Sequence, residues 1–180
     1  MKCRVALAIT AVLLFPAFGS RVWASYTLDA DQKRVIDAWL LSHPAYRLAT
    51  DADCRCDADI RTMRFEGYAG NWKPVRDYHP YVVNSDLNAD GINDFAVAVV
   101  NRSRTTRRFT ILVFNGPFHS PDVAPAFIEA NVDLTRTAFF YGPPGPKPYR
   151  LVIGEFESEG LILVPKGNTY RYKSQSRVGE

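Results

Sequence analysis

The chain has 180 residues, 47% of them hydrophobic, with 22 basic and 19 acidic side chains. That length points to one domain with a sizeable core, and a composition so rich in apolar and aromatic residues excludes a disordered chain. The formal charge of +3 is too small for the electrostatic footprint of a nucleic-acid-binding protein.

Met1-Lys2-Cys3-Arg4 is a short basic head, and Val5 to Phe18 is apolar apart from Thr10. Small residues at the cleavage positions around Val22-Trp23-Ala24 complete the pattern of a secretory signal peptide over residues 1–24. The apolar stretch is short for a bilayer span, so no stable membrane segment is expected after cleavage; an uncleaved N-terminal anchor is the rival reading. No cysteine follows the apolar run closely, which argues against a lipoprotein anchor. The segment carries Lys2, Arg4 and Arg21 and no acid, so its loss leaves 19 basic against 19 acidic residues. Residues 25–180 are then a single, nearly neutral globular domain in a secreted or periplasmic protein.

Leu28 to His43 predicts a helix. Asp29 and Gln32 have capping-box spacing, and Leu28, Val35, Ile36, Trp39 and Leu40 recur on one face. The helix ends at Ser42-His43-Pro44, because the residue before a proline is pushed out of the α region. Trp39 reads as a core anchor. A short extended piece, Tyr46-Arg47-Leu48, follows.

From Asp51 to Asp59 charged residues alternate with Ala and Cys, which as a strand would turn Cys54 and Cys56 to the inner face. After signal cleavage these are the only cysteines, and export exposes them to oxidising conditions. A Cys54–Cys56 disulfide is expected; it closes a very small loop and requires the chain to bend. Free buried thiols, or a redox or metal role, are the alternatives. The flanking acids read as a solvated strand face, with a second cation site as the lesser option. Ile60 to Phe65 fits a short helix or strand, and Gly67 to Pro74 reads as a loop.

Tyr78 to Val83 predicts a strand leading into Asp86-Leu87-Asn88-Ala89-Asp90-Gly91-Ile92-Asn93-Asp94, and the apolar run Phe95 to Val100 leaves it. Oxygen-bearing side chains at alternate positions, then Gly91, then a further carboxylate, suit a loop folded around a hard cation such as Ca²⁺. Asp86, Asn88 and Asp90 would point inward, Ile92 would offer its backbone carbonyl, and Asp94 would close the sphere directly or through water. A polar hairpin turn without metal is the alternative, since Asp, Asn and Gly are ordinary turn residues.

The pattern Asp-x-Asn-x-Asp-Gly-x-x-Asp-Phe over Asp86 to Phe95 resembles the calcium loop of FG-GAP and VCBS-type repeats, as found in integrin β-propellers. The resemblance implies that the loop joins two antiparallel strands and that the run after Asp94 is the second strand. It also resembles the first half of an EF-hand loop, but Val97 stands where the bidentate Glu would be, which argues against a helix–loop–helix hand. The loop occurs once, whereas a propeller has about four to eight blades, so a full propeller is not expected.

Arg102 to Arg108 reads as a basic turn, solvated or binding an acidic polymer or headgroups, and Phe109 to Phe114 as a returning strand. The meander then has the metal at one hairpin end and the basic tip at the other. Ala126 to Ile128 and Thr135 to Tyr141 predict further strands, and Gly142 to Pro148 a proline-rich loop that lets Tyr141 and Tyr149 pack on the sheet. Arg150 to Phe156 and Leu161 to Val164 predict a last hairpin, and Asn168 to Tyr172 an edge strand.

No catalytic motif is present: no His-Glu-x-x-His, no Gly-x-Ser-x-Gly and no phosphate-binding glycine loop. Glu155, Glu157 and Glu159 would share one face of a continuous strand, a weak pointer to paired-carboxylate chemistry. Tyr68, Trp72, Tyr78, His79 and Tyr81 form either a groove for sugar or peptide or ordinary packing. The sequence therefore predicts an α+β fold, an N-terminal helix packed on a mainly antiparallel sheet with a calcium loop at a hairpin. The leading functional expectation is a non-enzymatic, exported calcium-binding module with a protein or polysaccharide partner or a structural envelope role, and no nucleic acid. The alternative is a hydrolase of envelope polymers or glycans using Glu155, Glu157 and Glu159 or His79.

Overall fold

A computed structural model of the chain describes residues 24–68, 72–142, 150–158 and 160–174. The signal-peptide reading, Cys3, Tyr149 and Glu159 fall outside the described residues. Helix α1 spans Ala30–Ser42, with Asp29 as its N-cap. The Asp29 carboxylate accepts the Asp31 and Gln32 N–H groups at 2.9 Å each, and Gln32 Oε1 accepts the Asp29 N–H at 3.1 Å. The capping box is thus closed in both directions. Gln32 is fully buried, and its Nε2 donates to Asn84 Oδ1 at 2.8 Å, which ties the helix to the sheet below.

After α1 come strand β1 (Tyr46–Leu48), a 3-10 turn (Asp51–Asp53) and helix α2 (Asp57–Phe65). The remaining strands are β2 (Val82–Ser85), β3 (Asp94–Asn101), β4 (Phe109–Phe114), β5 (Phe127–Val132), β6 (Ala138–Tyr141), β7 (Leu151–Gly154), β8 (Gly160–Lys166) and β9 (Thr169–Ser174). They form two antiparallel sheets. In the first, β1 and β2 lie end to end along one edge of β3, with β4 and then β5 on the other side. The second is the meander β6-β7-β8-β9, with β9 at its edge.

β3 explains the arrangement. Its seven residues from Asp94 to Val100 are all buried, because each face of the strand meets a different layer. Phe95, Val97 and Val99 pack with Val35 and Ile36 of α1 and with Leu112 and Phe114 of β4. Ala96, Ala98 and Val100 share a second core with Tyr78, Tyr81, the α2 residues Ile60 and Met63, and Phe139, Leu151 and Leu163 of the second sheet. An unbroken apolar run is what a strand covered on both faces needs. Each large side chain so enclosed contributes about 1.5–3 kcal/mol.

Asp51 to Asp59 is not a strand. It divides into the 3-10 turn and the start of α2, because Asp53 is drawn into the turn by bonds from the Thr50 N–H (2.9 Å) and hydroxyl (3.1 Å). Asp57 and Asp59 instead sit in the first turn of a helix, where carboxylates oppose the positive end of the dipole. Cys54 and Cys56 are nevertheless both buried and disulfide-bonded, with their Cα atoms 5.2 Å apart across the bend between the two helical segments. The groove of exposed aromatics is not found either. Tyr78 and Tyr81 are fully buried, their hydroxyls donating to the Phe139 carbonyl at 3.3 Å and the Leu134 carbonyl at 2.7 Å.

Candidate metal centre

The Asp86 to Asp94 loop joins β2 to β3, two antiparallel strands whose last ladder pair is Ser85 opposite Asp94. Its turn is made by Ala89 and Gly91, with φ of 66° and 88°. The side chains organise the backbone in steps. Asp86 Oδ1 and Asn88 Oδ1 both accept the Asp90 N–H, at 3.1 and 2.9 Å, so these two oxygens converge. Asp86 Oδ2 accepts the Gly91 N–H at 2.9 Å, and Asp90 Oδ1 accepts the Ile92 N–H at 2.8 Å. Asn88 Nδ2 donates to Asp90 Oδ2 at 2.9 Å.

Asp94 differs from the others in being fully buried. Its Oδ2 accepts the N–H groups of Leu87 (2.9 Å) and Asn88 (3.1 Å), and its Oδ1 accepts that of Gly116 (3.0 Å). Burial pushes its carboxyl up to about 6 against the pull of these bonds, and the nearby Asp90 charge adds to the rise. No ion pair among the described residues includes Asp94. A buried carboxylate satisfied only by neutral donors is a group that a cation would stabilise.

The second sheet closes over the loop. Tyr141 Oη on β6 donates to the Asp86 carbonyl at 2.8 Å, and Tyr170 Oη on β9 donates to Asn115 Oδ1 at 2.7 Å. Burial, then the charges of Asp94, Asp90 and Asp86, hold the Tyr170 hydroxyl protonated well above its usual range. Sequence reasoning missed Asn115, Gly116, Tyr141 and Tyr170, since nothing local links them to a loop more than twenty residues away.

The donor set fits a hard cation chemically: three carboxylates, one amide and backbone carbonyls, all oxygen. The carboxylates do not by themselves form a cage. Among the described residues no three acidic, histidine or cysteine side chains converge closely enough to hold a metal ion. The converging pair, Asp86 and Asn88, includes an amide, and Asp94 is occupied by backbone donors.

A second polar cluster lies on the far side of β2. Asp51 Oδ1 is 2.8 Å from His79 Nδ1, and Asp51 Oδ2 accepts from Arg64 Nη2 at 2.5 Å. Burial opposes ionisation of Asp51, but the bonds from His79 and Arg64 outweigh it and hold its carboxyl below the usual range. The same His79 nitrogen also lies 3.2 Å from Arg64 Nη2. Arg64 is anchored in turn on the Tyr78 carbonyl, at 2.8 Å from Nε and 2.6 Å from Nη2. The pair borders a cavity of about 420 Å³ lined by Ala49, Thr50, Ala52, Tyr81 and Val82.

Glu155 and Glu157 do not share a continuous strand, and Glu159 lies outside the described residues. β7 ends at Gly154, and Glu157 lies in the following turn with φ of 55°. The basic turn is partly engaged, with Arg108 Nη2 donating to Asp53 Oδ1 at 2.9 Å and Arg107 Nε to the Asn131 carbonyl at 2.9 Å. Among the described residues no helix is long and apolar enough to cross a membrane. No protein-family model, curated protein or solved structure matches the chain.

Proposed function

We propose that the chain is an exported, non-enzymatic calcium-binding module, secreted or periplasmic, in which Ca²⁺ stabilises the β2–β3 hairpin loop of a structural or partner-binding envelope protein. Asp86, Asn88, Asp90, the Ile92 carbonyl and Asp94 hold the ion, and the partner is a protein or a polysaccharide. The observation that carries this reading is the buried Asp94 carboxylate at the base of a loop whose other side chains present oxygen at alternate positions. Its charge is met only by neutral donors among the described residues. The disulfide between Cys54 and Cys56 supports an oxidising compartment. Calcium titration by calorimetry tests the reading. Saturable binding that is lost in Asp90→Ala is expected, and no heat of binding at millimolar calcium would overturn it.

The second reading, a hydrolase acting on envelope polymers or glycans, draws on the His79–Asp51 pair. A neutral His79 bonded to Asp51 through Nδ1 would present Nε2 as an acceptor, the form a general base requires. The cavity offers no serine or cysteine, and the Thr50 hydroxyl donates to Asp53, so water would have to be the nucleophile. Turnover of a peptidoglycan or glycan substrate that disappears in His79→Ala would favour this reading over the first.

A further inference from the structure

At the end of the fold opposite the calcium loop the two sheets part, leaving a cleft of about 680 Å³ between β4–β5 and β7–β9. Its most buried lining residues are apolar: Ile111, Leu134 and Ile153. Into it projects a carboxylate from a position where the strand pattern calls for an apolar residue. On β5, Phe127, Glu129 and Val132 are the half-buried residues, while Ile128, Ala130 and Asn131 are exposed. The interval from Glu129 to Val132 is one residue longer than strict alternation because the β4–β5 register shifts there and Asn131 takes φ of 62°. Glu129 therefore belongs to the face turned towards the second sheet, opposite the buried Ile111 in the ladder.

Glu129 is incompletely satisfied. Tyr172 of β9 faces it, and burial, then a hydrogen bond to this carboxylate and its charge, hold the Tyr172 hydroxyl protonated well above its usual range. Its Oε2 atom is buried and has no hydrogen-bond donor among the described residues. Buried polar atoms are nearly always paired, so an orphaned carboxylate oxygen in the wall of a cavity calls for a partner. Among the described residues that line the cleft the one cation is Arg107, and it is engaged by other groups. Its Nε is bonded to the Asn131 carbonyl, and its charge helps to lower the Asp133 carboxyl. Glu155 adds a further negative charge at the rim. The cleft is thus an apolar slot with net negative walls, of a volume that suits a small molecule.

We propose that this inter-sheet cleft is a binding site for an organic cation with an apolar body, its ammonium or guanidinium group paired with the Glu129 carboxylate and its body resting on Ile111, Leu134 and Ile153. The site is separate from the Asp86 to Asp94 loop and does not depend on calcium.

The test uses the mature chain with the methyl groups of isoleucine and leucine observed by NMR, in chelator and again in calcium. The probe is 2-phenylethylammonium, and the control is 2-phenylethanol, similar in shape and uncharged. Saturable shifts confined to the methyls of Ile111, Leu134, Ile153 and Leu161 are expected with the cation in both buffers. Binding should be about tenfold weaker for the alcohol, and about tenfold weaker for the cation with Glu129→Gln, the change typical of losing one charge-assisted hydrogen bond. Leu161→Lys, at a half-exposed site on the rim, should weaken cation binding by placing a competing ammonium there; a thermal melt verifies that both variants fold. Equal binding of cation and alcohol, unchanged binding in Glu129→Gln, or no saturation at about 10 mM probe, weaker than the millimolar affinity of even modest specific sites, would overturn the proposal. Success in chelator alongside absent calcium binding would leave this site standing and remove the calcium reading.

Discussion

Asp94, the first residue of β3, accepts the backbone N–H of Gly116, which lies beyond the end of β4, at 3.0 Å. One carboxylate thereby fixes the β2–β3 loop through its Oδ2 and the β4–β5 connection through its Oδ1. A change in that carboxylate's environment is felt by both connections at this end of the two central strands.

The first consequence concerns calcium. Bringing Asp86, Asp90 and Asp94 around a cation should raise the melting temperature, because ligand binding to the native state alone adds to stability. Extracellular calcium modules bind at about 10⁻⁴–10⁻³ M, so millimolar calcium should contribute about 1 kcal/mol. Asp90→Ala should remove the calcium-dependent rise, and Asp94→Asn should reduce it less if that residue binds through water. Magnesium should substitute poorly, since its small octahedral shell is less tolerant of a carbonyl-containing loop. A melt of wild type and both variants, with chelator and with each cation, reads all three points. Indifference of the wild type to chelator and to added calcium would reduce the loop to a hairpin turn.

Gly116 should resist substitution. A Cβ there would run into the Asn93 carbonyl oxygen and come within 2.7 Å of Ile92 Cγ2. Gly116→Ala should cost about 1–3 kcal/mol by forcing the loop away from the β4–β5 connection. Urea denaturation with an unchanged m-value would register the loss, and wild-type stability in the variant would show that the loop yields freely.

Asp53 sets an acid limit. Hydrogen bonds from Arg47 (2.7 and 2.6 Å), opposed by burial and aided by the Thr50 N–H and hydroxyl, pull its carboxyl down to about 2. The folded value lies below the unfolded one of about 3.9, so the stabilisation is fully present above about pH 4 and disappears as pH falls through about 2. The shift corresponds to roughly 2 kcal/mol at neutral pH. Asp53→Asn should lower stability at pH 7 and flatten its decline between about pH 4 and pH 2. Stability against pH, measured by denaturant titration, would contradict this if the variant and wild type ran parallel across that range.

The cysteines should be inaccessible to alkylation until reduced, since Cys54 and Cys56 are bonded and both buried. Intact mass of exported protein, with and without reductant before alkylation, gives the thiol count and also whether the mature chain begins at Ser25. Replacing both by serine should cost roughly 1.5 kcal/mol, the loop-entropy value for so short a bridge. Two alkylated thiols before reduction would sink the assignment in the exported protein.

Much was legible in the sequence because the signals were local. The α1 cap depends on Asp29 and Gln32 alone, three residues apart, and six of the seven buried positions of β3, Phe95 to Val100, stand as an unbroken apolar run. The turn between β2 and β3 follows from alternating Asp and Asn with Gly91, side chains that bond their own backbone within two to five residues. Where two local patterns competed, the strand reading lost. From Asp51 to Asp59 the alternation of charge and small residues was overridden by Asp53, which is held by Arg47 and, from β4's leading edge, by Arg108. Only the tertiary structure decided that the strands divide into two sheets and that Tyr141 and Tyr170 close over the loop. It likewise brought His79 to Asp51 and left Glu129 facing a cleft with one oxygen unpaired. Each of these joins residues far apart in the chain, and a long-range contact depends on how the sheets stack, which no run of neighbouring residues encodes.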